Sequence, residues 1–333
     1  MSSLKSKKIL FFTTNFFGYE SVIKEEMERK GAKVHLYDER GNLSSIEKII
    51  LRKFPILLYR KINRYYKKII NTEVKFNPDF IFFISPESIT RKCMAQFHEQ
   101  FPHAKFILYM WDSIRNINAK FVYPMFDYRL SFDSSDCNRY GFKFRPLFFI
   151  KSFENEKPKD NFLYDFSFIG TIHSDRAKIL YKLKKEFEKN GNKYFFYLYV
   201  PGKFMLVLRY ILNPYVRKLK SFVYTSAMKK DDIANISKHS RCIIDINHPK
   251  QNGLTMRTIE MLGLEQKILT TNKEIQQYDF YQPENQLVLD RHNLTINFAN
   301  LVKPYISTPK ETYCKYKISS WLEDIFACSG EKE

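Results

Sequence analysis

The stretch NHPKQNGLTMRTIE, from Asn247 to Glu260, gathers a glycine, two threonines, an arginine and a carboxylate into one loop and the helix start behind it. A helix N-terminus leaves N–H groups unsatisfied and carries partial positive charge, so the loop through Gly253 into Thr255 is a place for a phosphate. Arg257, in the first turn, would add a charge-assisted contact. Glu260, about one turn further on, is placed to accept hydrogen bonds from two ribose hydroxyls. The same residues also suit an ordinary helix start, with Thr255 as the cap and Glu260 in solvent, and spacing alone leaves both readings open. His173 and His248 are candidate donors to phosphate, although a lone histidine more often has a structural task. No Asp-x-Asp pair is present. Asp245-Ile246-Asn247 comes nearest and reads as a strand end, so no divalent metal is expected.

These residues need a scaffold, and the hydrophobic pattern supplies one. Residues 8–14 form a β-rich apolar run ending in a turn at Gly18. A surface helix over 20–30 and a second strand over 33–38 follow. Strands over 79–85, 105–111 and 128–132 and a helix over 89–101 continue an α/β alternation. A polar stretch over 151–160 reads as a linker. The alternation then resumes with strands over 165–169, 194–200, 242–247 and 267–271, helices over 176–190, 229–237 and 255–264, and a terminal helix around 315–327. With 333 residues, two domains are expected, 1–150 and 151–333.

The run Gly253 to Asn272, GLTMRTIEMLGLEQKILTTN, resembles the nucleotide-sugar site of GT-B glycosyltransferases, especially of bacterial surface-polysaccharide and CgeB-like members. In that superfamily two glutamates stand seven residues apart and the second binds ribose; here the second falls on Glu260 and the first position is Asn252. The segment Asp165 to Thr171, with Arg176, is similar to the opening strand and phosphate-facing loop of the family's C-terminal domain. Phe106 to Asp112 resembles the strand before an acceptor-side loop. The resemblance implies an α/β chain of two Rossmann-like domains facing across a cleft, acceptor on the first and donor on the second, with the last helix crossing back to the first. It assigns Gly170, Thr171, Arg176, Asn252, Gly253, Leu254, Thr255, Arg257 and Glu260 to the nucleotide-diphosphate sugar, which is a co-substrate, and implies no further cofactor. Where such a reaction inverts, a carboxylate or a histidine on the first domain removes the acceptor's proton. Glu20, after the Gly18 turn, and Asp112, at a strand end, are the candidates. Either also has a plain role, Glu20 as a first-turn acid and Asp112 as a cap.

Composition adds a partner. Lys plus Arg number 55 against 36 Asp plus Glu, a formal net charge of +19, with 22 Tyr and 31 Phe. The basic residues cluster over 51–70 and 203–220, interleaved with aliphatic and aromatic side chains, the mixture that holds a protein at an anionic bilayer surface. The alternative is two helices with apolar faces in the core and basic faces in water. Cys93, Cys137, Cys242, Cys314 and Cys328 have no metal-ligand or disulfide spacing and are expected as thiols. With no export signal and no apolar run near membrane-spanning length, the expected place is the cytoplasm, peripheral on the inner face of the membrane. The expected acceptor is a lipid-linked, lipopolysaccharide or capsular glycan. A polyol-phosphate transferase using a CDP-linked donor is an alternative, because a phosphate-binding helix does not identify the group transferred. A nucleic-acid-binding protein fits the charge but leaves Gly253 to Glu260 unexplained. A dinucleotide oxidoreductase ranks last, since G-x-G-x-x-G is missing after the first strand.

Overall fold

The computed structural model describes residues 4–114, 121–155, 161–249, 251–296 and 298–327. Cys328 and the end of the polar stretch, 156–160, lie outside these residues. The chain divides into two compact units, Met1–Leu147 with Ile318–Glu333, and Phe148–Lys317.

The first unit holds six parallel strands: β1 (Lys8–Thr13), β2 (Lys33–Asp38), β3 (Phe80–Ile84), β4 (Lys105–Met110), β5 (Tyr128–Ser131) and β6 (Lys143–Phe144), in the order β2-β1-β3-β4-β5-β6. Strands covered on both faces read as continuous apolar runs, as FIFFI in β3 does, every residue of it buried. One face carries the helices Tyr59–Glu73 and Arg91–Gln100, whose Ile62, Tyr66, Ile69, Met94 and Phe97 join the core with Phe12 and Phe83. The helix Ile318–Ala327 belongs to this unit: Trp321 meets Tyr109 edge to face at 4.9 Å, and Phe326 packs on Phe80 and Phe82.

The second unit has β7 (Tyr164–Thr171), β8 (Tyr194–Tyr199), β9 (Val223–Tyr224), β10 (Ser240–Asp245), β11 (Lys267–Thr270) and β12 (Gln286–Val288), all parallel, in the order β12-β11-β10-β7-β8-β9. This is the doubly wound Rossmann order, in which ligands bind beyond the strands' carboxyl ends where the winding reverses, here between β7 and β10. β6, β9 and β12, two or three residues each, are too short for periodicity to reveal. The polar stretch expected as a linker contains a short helical turn, Lys151–Phe153, with Phe153 buried.

The two basic segments differ. In Tyr59–Glu73 the apolar face (Ile62, Tyr66, Ile69, Ile70) is buried while Arg60, Lys61, Arg64, Lys67 and Lys68 are exposed, which is the plain surface-helix alternative. Just before it, Phe54, Ile56 and Leu57 are exposed.

Candidate functional site

β7 ends at Gly170-Thr171 and β10 at Asp245, side by side at the reversal point of the second sheet. Asp245 is fully buried and accepts from Thr255 Oγ1 at 3.0 Å, Thr258 Oγ1 at 3.1 Å and Arg257 Nη1 at 3.4 Å. It therefore organises the start of the helix Met256–Leu264, and its oxygens are committed to protein donors. Thr255 is the cap, its hydroxyl accepting the Thr258 N–H at 3.3 Å. Gly253 and Leu254 are buried beneath this turn, and Asn272 Nδ2 holds the loop by donating to the carbonyls of Asn252 at 3.0 Å and Gly253 at 3.3 Å.

Both predicted arginines reach the strand ends. Arg257 Nη2 donates to the Ile169 carbonyl, and its guanidinium lies 5.3 Å from the Phe168 ring. Gly170 makes room for it, since a Cβ there would stand 3.1 Å from Arg257 Nη2. Arg176 is buried; Nε donates to the Ile246 carbonyl at 2.7 Å and Nη1 to the Thr171 carbonyl at 3.0 Å. Burial, ahead of the nearby Arg257, lowers its pKa to about 10, which leaves it charged at neutral pH. The sequence treats these arginines as simple phosphate contacts. In the fold they also tie β7 to β10, so part of their donor capacity serves the backbone and their charge serves the loop mouth.

Arg291, which the sequence analysis missed, completes the cluster. It pairs with Asp175 at 2.6 Å and donates to the Asn247 carbonyl and side-chain oxygen, both at 2.7 Å, and to Thr271 Oγ1 at 3.1 Å. Its only sequence signal is that it follows β12, at the carboxyl edge of the sheet. His173 lies in this group, its ring 5.7 Å from that of His248. Burial first, then Arg176, His248 and Arg209, hold its pKa down to about 3, against the weaker pull of Asp175. Between pH 6.5, its ordinary value, and about 3 the unfolded chain binds a proton that the folded chain refuses, so stability is full above that window and falls as acid is added. Taken as wild type minus His173→Gln, so that the titration of other groups cancels, denaturant unfolding at pH 7.5, 6.0 and 5.0 should show this loss.

Glu260 is half-buried on the same helix, and that helix is held against residues 149–155: the Gly263 carbonyl accepts from Asn155 N–H and from Tyr313 Oη, each at 2.8 Å. Beside the end of β8, Tyr197, Met228, Lys229 and Asp232 line an open hollow of about 490 Å³, a second feature the sequence did not reveal.

In the first unit, Glu20 lies in the first turn of the helix Tyr19–Arg29 and accepts the Phe16 N–H at 3.0 Å, so it fastens the loop after β1. Asp112 follows β4, crowded by protein yet open to solvent on one side. The crowding first, then the Glu87 carboxylate, push its pKa up to about 6, against Arg52 and Arg40. Glu87 pairs with Arg40 and Arg52, each at 3.1 Å. Glu39, directly after β2, is fully buried, accepts the Ser88 N–H at 2.9 Å, and is pushed up to about 7 chiefly by burial. Glu39, Arg40 and Glu87 were not singled out from sequence, and Arg52 only as one of the basic residues over 51–70; up to 48 positions separate the four, and Glu39 carried a signal as the residue just past a strand.

The sequence matches no family model and no curated protein. Solved structures share the fold across its whole length. HepE of Anabaena, determined in complex with UDP-glucose, is 10% identical with a TM-score of 0.62, covering 97% of this chain and 99% of its own. The lipopolysaccharide outer core galactosyltransferase WaaB is 12% identical at TM-score 0.53, covering 97% and 100%. The UDP-GlcNAc 2-epimerase of Methanocaldococcus jannaschii, in complex with UDP-GlcNAc and UDP, is 12% identical at TM-score 0.55, covering 96% and 99%. At such identities the likeness establishes the architecture, GT-B-like with two Rossmann-like sheets, and leaves chemistry to the site.

Proposed function

We propose that the protein is a glycosyltransferase of the surface-polysaccharide kind, moving a sugar from a nucleoside-diphosphate donor held by the second unit to an acceptor hydroxyl held by the first. The observation that carries this reading is the cationic strand end: Arg257 and Arg291 lie near Arg176, Arg176 and Arg209 lie near His173, and together these four outnumber the acids Asp175 and Asp245 beside them. A diphosphate would neutralise that excess, and the same charges would stabilise the leaving nucleoside diphosphate as the glycosidic bond to it breaks. This positive charge is the protein's own, and we propose that no metal is needed, because Asp245 is committed to Thr255, Thr258 and Arg257. The loop Asn252, Gly253, Leu254 and Thr255, with Gly170 and Thr171, borders the phosphates, and Glu260 holds the ribose. In an inverting transfer Asp112, ionised at neutral pH and open to solvent, takes the acceptor's proton. Glu20 supports the loop beside it. The acceptor is a glycan or glycolipid at the cytoplasmic face of the membrane, a reading supported by exposed Phe54, Ile56 and Leu57 next to exposed Arg52, Lys53 and Arg60.

Calorimetry against UDP, GDP, CDP and dTDP tests the donor site. One of them should bind saturably, and Glu260→Ala should weaken it roughly tenfold or more, the worth of losing hydrogen bonds to a carboxylate, in a variant that remains folded. Equal affinity in the variant, or no binding by the wild type, overturns the site. Selective CDP binding would favour the polyol-phosphate alternative. Donor isomerised without any acceptor would favour an epimerase on the same fold.

A further inference from the structure

We propose that the helix Lys203–Leu212 is an in-plane anchor that seats the second unit on an anionic bilayer surface. The sequence marks residues 203–220 as basic and apolar, and the fold decides which side chains are left in water. None of the helix is buried. Met205, Leu206 and Tyr210 lean against the core of the second unit, whereas Phe204, Val207, Leu208 and Ile211, spaced i, i+3, i+4 and i+7, form one stripe on the outer side. Their exposures are 80%, 56%, 37% and 67%, and Leu212 next to them is 70% exposed. A contiguous stripe of this kind marks an interaction surface.

Charge identifies the occupant. Between Glu188 and Asp231 the chain has no acidic residue, while Lys203, Arg217, Lys218 and Lys220 fall on the helix or just after it. A second copy of the chain would bring like charges together, and an anionic headgroup layer would attract them. The helix has 10 residues, a length of about 15 Å against a hydrocarbon core of about 30 Å, so it suits the interface plane and cannot span. Its end is set: Arg217 Nη1 donates to the carbonyls of Tyr210 at 2.6 Å and Ile211 at 3.1 Å, satisfying last-turn acceptors and leaving the apolar stripe presented outward. The inference deepens the membrane part of the proposed function and rests on it; Phe204, Val207 and Ile211 are not among the residues placed at the donor site, whereas Arg209 of the same helix lies near His173.

The test is co-sedimentation of the full chain with phosphatidylethanolamine/phosphatidylglycerol vesicles and with phosphatidylcholine vesicles. The wild type should partition onto the anionic vesicles and release at high salt. Phe204→Ser/Val207→Ser/Ile211→Ser should lower the partition coefficient at least about tenfold, given the apolar area withdrawn, with an unchanged melting temperature because the three positions are exposed. Ile56→Ser/Leu57→Ser serves as the comparison on the first unit. Should the triple variant fail to fold, Phe204→Trp decides: the emission of the introduced indole should shift to the blue on anionic vesicles and be quenched by brominated lipid. Wild-type partition in the triple variant, an emission in Phe204→Trp that ignores lipid, or no anionic-vesicle binding by the wild type overturns the proposal. Loss confined to the Ile56→Ser/Leu57→Ser variant also overturns it while sparing the membrane reading of the first unit. Self-association abolished by the triple variant, without vesicle binding, would assign the stripe to a second copy and overturn it too.

Discussion

Arg257→Met is expected to destabilise the second unit by about 3 kcal/mol and to weaken nucleoside-diphosphate binding about 100-fold or more. The first effect follows from what the guanidinium holds. Asp245 is wholly buried and Arg257 is the cation paired with it, so the variant removes the ion pair from a buried carboxylate and leaves it the Thr255 and Thr258 hydroxyls and the more distant charge of Arg176. The Ile169 carbonyl, at the end of β7, loses its side-chain donor as well. The second effect follows from removing one of the charges at the strand end proposed to meet the diphosphate. Arg257→Lys should recover little of either, because one ammonium cannot bridge Asp245 and the Ile169 carbonyl as a planar fork does. Urea unfolding and calorimetry on the same preparations separate the two effects. Unchanged unfolding would mean that the bridge between the strand ends does not form, and unchanged affinity in a folded variant would remove Arg257 from the donor site.

Gly263→Ala is expected to cost about 3 kcal/mol, at the upper end for one added methyl group. A Cβ at this position would stand 2.4 Å from the Phe153 carbonyl oxygen and 2.6 Å from Phe149 Cγ, and a backbone oxygen cannot swing away as a side chain can. The helix would have to retreat from residues 149–155, straining the hydrogen bonds that Asn155 and Tyr313 donate to the Gly263 carbonyl. Because Thr255, Arg257 and Glu260 ride on this helix, donor affinity should fall with stability. Tyr313→Phe, which removes one of those bonds and adds no bulk, should cost only about 1 kcal/mol. Near-equal costs for the two substitutions would show that the helix tolerates the methyl group and that close approach at Gly263 is not what positions it.

Much of the plan was legible in the sequence. Strands such as Phe80–Ile84 and Lys105–Met110 are covered on both faces and so appear as unbroken apolar runs, and the loop from Gly253 to the helix bearing Glu260 has a local signature. Local pattern determined the α/β alternation, the location of the glycine loop before the helix Met256–Leu264 and the excess of positive charge. It could not determine which groups spend their hydrogen bonds on one another. Arg291 meets Asp175 across 116 positions, and Arg257 meets Ile169 across 88. Glu39 becomes a buried acid only because the turn after β2 is covered by Ser88 and its neighbours. The two basic segments, alike in composition, diverge for the same reason: Tyr59–Glu73 finds a sheet for its apolar face, and Lys203–Leu212 leaves its outer stripe in water. Periodicity and composition are properties of neighbours along the chain, whereas burial, charge pairing and the field at His173 arise from residues brought together only by folding, and tertiary structure alone decides them.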